Sequence, residues 1–94
     1  MGLIFRWSDD KASKNARKHD VEFEEAATVF ADPLSATIPD SFHSRDEDRF
    51  VILGTSARRR LLVVVFTESD EDVIRIISAR RATRHERISY EEGQ

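Results

Sequence analysis

Leu61-Leu62-Val63-Val64-Val65-Phe66, the acidic run Thr67-Glu68-Ser69-Asp70-Glu71-Asp72, and Val73-Ile74-Arg75-Ile76-Ile77-Ser78-Ala79 form the most strongly patterned stretch of this 94-residue chain. The first piece is continuously apolar and rich in valine, which predicts a central strand covered on both faces. The acidic run reads as a turn, and the third piece returns as the hairpin partner. Working upstream, Phe50 to Leu53, ending at Gly54, and Leu34 to Ile38, closed by Pro39-Asp40, read as two further strands. The polar segment Ser41 to Asp48 between them reads as a loop.

Before the strands lie two helices. Ser8, Asp9 and Asp10 supply N-cap chemistry and first-turn negative charge for a helix through His19, and Asp20, tolerant of left-handed backbone, ends it. A second helix begins near Glu22 and buries Phe23, Ala26, Ala27 and Phe30, an i, i+3, i+4, i+7 stripe that Asp32-Pro33 terminates. Ile4 to Trp7 reads as a short first strand, with Trp7 packing under the first helix. Thr83-Arg84-His85-Glu86 has the form of a capping box and opens a C-terminal helix to about Glu92. The expected fold is α+β: a short N-terminal strand, two helices, an antiparallel sheet of about four further strands, and a C-terminal helix. Residues 1–94 form a single domain.

Composition narrows the function classes. There is no cysteine, so disulfides and thiolate metal sites are excluded. The apolar run at residues 61–66 is too short for a membrane span, and no signal-peptide pattern opens the chain, so a cytoplasmic protein is expected. The net charge of −3 is unevenly spread. Residues 1–57 carry 7 basic and 11 acidic side chains, whereas residues 58–87 carry 8 arginines against 5 acids. Arginine is the better residue for bidentate phosphate recognition, although on composition alone a solvated, salt-bridged surface is the more economical reading.

Several motifs coincide in order: Asn15-Ala16-Arg17-Lys18-His19-Asp20-Val21, Phe23-Glu24-Glu25-Ala26, Asp32-Pro33, Glu47-Asp48-Arg49, Gly54, and Arg75-Ile76-Ile77-Ser78-Ala79-Arg80-Arg81-Ala82-Thr83 with Glu86 and Tyr90 behind it. The series resembles the BrnT toxin family across essentially the whole chain, and the arginine-flanked run from Arg75 is its most specific piece. Asp20 stands where the family usually has Gly, and Glu22 where it tends to have Ser or Thr. The resemblance implies a RelE-like fold and metal-independent endoribonuclease activity. It also implies a co-encoded antitoxin with a ribbon-helix-helix domain, through which the complex would reach operator DNA.

Such cleavage is an internal phosphoryl transfer, in which the 2′-hydroxyl attacks its own phosphate and cations stabilise the charge on the equatorial oxygens. Strict alternation puts Arg75 with Val73, Ile77 and Ala79 on one face of its strand, and Ser78 with Arg80 on the other. Arg75 is then an arginine in a buried strand, bound either to Glu68 or another acid or to phosphate. Arg80 is the expected phosphate clamp, with Ser78 beside it as a donor. Histidine titrates nearest neutrality of all side chains, so His19 is the candidate for proton transfer, with a hydrogen-bonded core histidine as the alternative. Lys18 suits RNA or simply the helix C-terminus. Arg58 and Arg60, in the turn before the central strand, suit phosphate contact, antitoxin docking or plain solvation. Arg81 suits RNA, helix packing or antitoxin, and Tyr90 suits base stacking or packing of the last helix. His19-Asp20 spells a metal-binding dipeptide, but no second ligand cluster accompanies it, so neither metal nor cofactor is expected. His43, in the acidic loop, and His85 carry no expected role. The competing function class is a non-enzymatic module that binds a ribbon-helix-helix antitoxin and tunes operon repression.

Overall fold

The computed structural model describes residues 2–40 and 48–93. The elements are β1 (Ile4–Arg6), α1 (Asp9–His19), α2 (Phe23–Thr28), a 3₁₀ turn (Val29–Ala31), β2 (Ala36–Pro39), β3 (Arg49–Thr55), β4 (Leu61–Asp70), β5 (Val73–Arg81) and α3 (Arg84–Glu92). His43, Glu47 and nearly all of the expected Ser41–Asp48 loop lie outside the described residues.

Local chemistry sets the helix ends. The Ser8 hydroxyl accepts from the Lys11 N–H, and Asp20, left-handed at φ 57°, closes α1 by donating its N–H to the Ala16 carbonyl. The expected second helix loosens into the 3₁₀ turn after Thr28, just ahead of Asp32-Pro33. Thr83 and Glu86 form a reciprocal capping box at the start of α3.

The sheet order is β1-β5-β4-β3-β2, so β4 is central. Every pairing is antiparallel except that of β1 with β5, which is parallel, and the sheet is therefore mixed. The strand expected to stop at Gly54 runs on to Thr55. One face of the sheet carries α1 and α2: Val21, Phe23, Ala26 and Val29 pack onto Ile52, Leu62, Val64, Phe66, Ile74, Ile76 and Ala79. Aromatic rings link the layers, Phe5 to Phe30 at 5.2 Å and Phe30 to Phe66 at 4.9 Å between centroids. Trp7 meets Phe23 edge-on at 5.9 Å. Across the sheet, α3 flanks a groove of about 260 Å³ whose floor includes Val51, Leu53 and Val63.

Alternation along β5 fails at one point. Val65 pairs with Ser78, but Phe66 pairs with Ile76, which leaves Ile77 without a partner on β4. This bulge resets the two-residue period, so Ile76 and Ala79 both point into the core although three positions separate them. Arg75 and Arg80 consequently share the face opposite α1 and α2, and the expected opposition between them is corrected. The expectation of a buried Arg75 is corrected too. It lies exposed across from Thr67, and Arg80 lies across from Val63.

Candidate active site at the edge of β5

β1 covers the outer edge of β5 only as far as Arg75. Beyond that point a strand edge would be left with unpaired backbone groups. Asn15 of α1 takes over. Its Oδ1 accepts from the Ala79 N–H at 3.0 Å, and its Nδ2 donates to the Ala79 carbonyl at 2.8 Å and to the Val21 carbonyl at 3.0 Å. Asn15 is 7% exposed, so one buried amide binds α1, the α1–α2 turn and β5 together.

Fixing α1 against this edge brings sequence-distant candidates together. Lys18 and His19, from the last turn of α1, and Ser78, from β5, line one shallow depression of about 280 Å³, with Lys11, Lys14 and Ile77. The bulge at Ile77 forms part of its wall, where the strand bends away from regular pairing. His19 is partly buried and Lys18 is exposed. A histidine, a hydroxyl and several ammonium groups in one open depression suit the binding of a phosphodiester and the movement of a proton beside it.

Arg75 carries positive charge on the face opposite α1 and α2. The register sets Arg49, Thr67, Arg75 and Arg6 in one row across β3, β4, β5 and β1. Arg80, further along the same face, is engaged. Its Nη1 and Nη2 donate to the two Glu86 carboxylate oxygens at 2.8 and 2.9 Å, and Nη1 also reaches the Arg81 carbonyl at 3.2 Å. The Arg80 guanidinium, helped by Thr83 and opposed by burial, lowers the Glu86 carboxyl to about 2. Arg81 is exposed across from Leu62, at the end of the strand.

The remaining candidates do not join the depression. Arg60 forms a buried ion pair with Glu25 through Nε at 2.9 Å and through Nη2, and Nη2 also donates to the Asp20 carbonyl at 3.0 Å. Arg60, with Ser56 in support against the cost of burial, holds the Glu25 carboxyl below its ordinary value. Arg58 is exposed and 3.7 Å from the same carboxylate. Tyr90 donates its hydroxyl to Asp32 Oδ2 at 2.6 Å, and the same oxygen accepts the Thr55 N–H at 2.8 Å. Burial works against the Asp32 charge, but the Thr55, Tyr90 and Leu34 donors outweigh it and hold that carboxyl low. This junction also needs Gly54, where an added Cβ would come within 2.9 Å of Val29 Cγ1.

The structure therefore unites Lys18, His19 and Ser78, places Arg75 and Arg80 on one face of β5, and sends Arg58, Arg60 and Tyr90 to other junctions. Asn15, Glu25, Asp32 and Ser56 were missed as residues of consequence. A polar Asn on the apolar side of α1, between Ala12 and Ala16, was the one signal that marked Asn15.

A family model described as "Ribonuclease toxin, BrnT, of type II toxin-antitoxin system" matches residues 7–86. Among solved structures the chain is similar to the Brucella abortus ribonuclease toxin, BrnT, with a TM-score of 0.65 and 20% identity over 89% of this chain and 99% of that one. At that identity the likeness is one of fold. No curated protein matches the chain.

Proposed function

From the premise that the chain belongs to the BrnT family of ribonuclease toxins of type II toxin–antitoxin systems, we propose that it is a metal-independent endoribonuclease whose reaction takes place at the edge of β5. The observation that carries this reading is the meeting of Lys18, His19 and Ser78 in one open depression, although β5 and the end of α1 are far apart in sequence.

In this reading the ribose 2′-oxygen attacks the adjacent phosphorus while the neutral imidazole of His19 takes its proton. The bond from phosphorus to the 5′-oxygen breaks, and that oxygen leaves with a proton from water. The products are a 2′,3′-cyclic phosphate and a 5′-hydroxyl. Lys18 and Arg75 supply positive charge to the phosphate oxygens, and the Ser78 hydroxyl donates to one of them. Arg80, already bound to Glu86, pins α3 to the end of β5 and adds to the local field. Arg81, next along the strand and exposed, extends the positive surface. Arg60 acts at one remove by holding the carbonyl of Asp20, the residue after His19. The family places an antitoxin opposite this protein, and its ribbon-helix-helix domain would carry the complex to operator DNA.

The experiment is cleavage of a defined RNA by the full chain, with mapping of the new ends. Cleavage that persists in excess EDTA and leaves a cyclic phosphate supports the reading. Activity that vanishes with chelation and returns with Mg²⁺ or Mn²⁺ overturns the mechanism. RNA left intact by the free chain, when that chain still binds its antitoxin tightly, would favour the non-enzymatic module.

A further inference from the structure

The chain has 3 lysines among its 15 Lys and Arg residues, and all of them, Lys11, Lys14 and Lys18, stand on α1. The positions i, i+3 and i+7 place them in one row. The row flanks Asn15, which fixes its orientation beside β5, and all three line the depression that holds His19 and Ser78. At a rise of about 1.5 Å per residue, their origins are about 4.5 and 6 Å apart along the helix. Successive phosphates of an extended single strand lie at comparable intervals, and the four-carbon lysine stems absorb the mismatch. Among the described residues, the one ion pair in the row is Lys14 with Asp10 at 3.1 Å, both more than two-thirds exposed, which a phosphate can displace at little cost.

We infer that Lys11, Lys14 and Lys18 form a phosphate-tracking subsite that holds single-stranded RNA on one side of the bond to be cut. The inference rests on the cleavage reading above and extends it to substrate class: an unpaired strand reaching several nucleotides beyond the depression, gripped by its backbone rather than its bases. Asp10, in the first turn of α1 and paired with Lys14, marks the far end of the track. Arg17 lies outside the row and lines a separate groove with Trp7 and Glu22.

The test uses the full chain, the Lys11→Gln/Lys14→Gln double variant and the Lys11→Arg/Lys14→Arg control. The probe is a fluorescent oligouridylate made uncleavable by 2′-O-methylation, titrated across a range of salt. The double variant should bind it about 10-fold more weakly and lower the log–log salt slope by about 1.4, or about 0.7 for each lost contact. The arginine control should retain the slope. With cleavable RNA, KM should rise more for a long strand than for a dinucleotide, while kcat changes less. An unchanged slope in the double variant overturns the track even when cleavage is robust. If the wild-type chain cuts no RNA but binds the methylated strand with the lysine-dependent slope, the cleavage reading fails and the track stands. No binding at all overturns both. A double variant that keeps RNA affinity but loses affinity for polyglutamate makes the row a protein-docking surface and also overturns the track.

Discussion

Asn15 and Ala79 are joined at two points, amide oxygen to N–H at 3.0 Å and amide nitrogen to carbonyl at 2.8 Å, so that one side chain stands in for a missing strand along β5. Replacing it strands three buried backbone groups, at about 1–3 kcal/mol for each left unsatisfied. Asn15→Leu should lower stability by about 3 kcal/mol in urea unfolding. Asn15→Asp, which sets a carboxylate against the carbonyls of Val21 and Ala79, should also be destabilising at neutral pH. A Leu variant as stable as the wild type would mean that water or a neighbouring group satisfies the edge instead.

Arg75 and Arg80 should separate by readout although they share a face. Arg75→Ala removes an exposed side chain, so the melting temperature should hardly move. Cleavage should fall by roughly 10²-fold, the usual effect of deleting one group that stabilises transition-state charge. Full activity in Arg75→Ala would remove this residue from the site.

For Arg80→Ala the expected signature is a change in the acid limb of stability. Glu86 titrates at about 2 in the fold against an ordinary 4.5. A depressed carboxylate contributes stability above its unfolded value and loses it as pH falls towards the folded one. The pair is partly exposed, so its contribution is discounted to about 1 kcal/mol. The gap between wild type and variant should therefore be largest near neutrality and shrink between 4.5 and about 2. A gap independent of pH would point to lost packing rather than the ion pair.

Arg60→Ala should be more damaging than Arg58→Ala. The Glu25 side chain is 4% exposed and that of Arg60 14%, whereas that of Arg58 is 68% exposed. Removing Arg60 leaves a buried carboxylate without its partner, a change that costs about 3–5 kcal/mol. Arg58→Ala should cost under about 1 kcal/mol. Comparable midpoints in thermal unfolding would contradict the assignment of Arg60 to the fold rather than to the surface.

At the adjoining junction, Gly54→Ala should cost about 1–3 kcal/mol, because the new methyl would press on Val29, Ser35 and Asp32 at once. Tyr90→Phe should cost about 1 kcal/mol, since Asp32 keeps the Thr55 and Leu34 donors. Calorimetry of both variants would check the order.

Much of the fold was legible because its signals are local. Valine-rich Leu61–Phe66 announced the central strand, Ser8 and Thr83 announced helix starts, and Asp20 announced a stop. The parallel docking of β1 was not legible, since three residues carry no information about their partner strand. The bulge at Ile77 was hidden for a different reason. Arg-Ile-Ile-Ser-Ala-Arg is compatible with unbroken alternation, and only packing of both Ile76 and Ala79 into the core forces the extra residue. The gathering of Lys18, His19 and Ser78 depends on the tie between Asn15 and Ala79, 64 positions apart, which no periodicity encodes.

The segregation of lysine onto α1 also gives the molecule a chemical handedness. Every side-chain amine sits on one helix, while arginine provides all other permanent cations. Acylation of lysine side chains would thus modify a single flank, and a surface that couples through lysine would hold the molecule by α1. The Arg6, Arg49 and Arg75 row and α3 contain no lysine to couple.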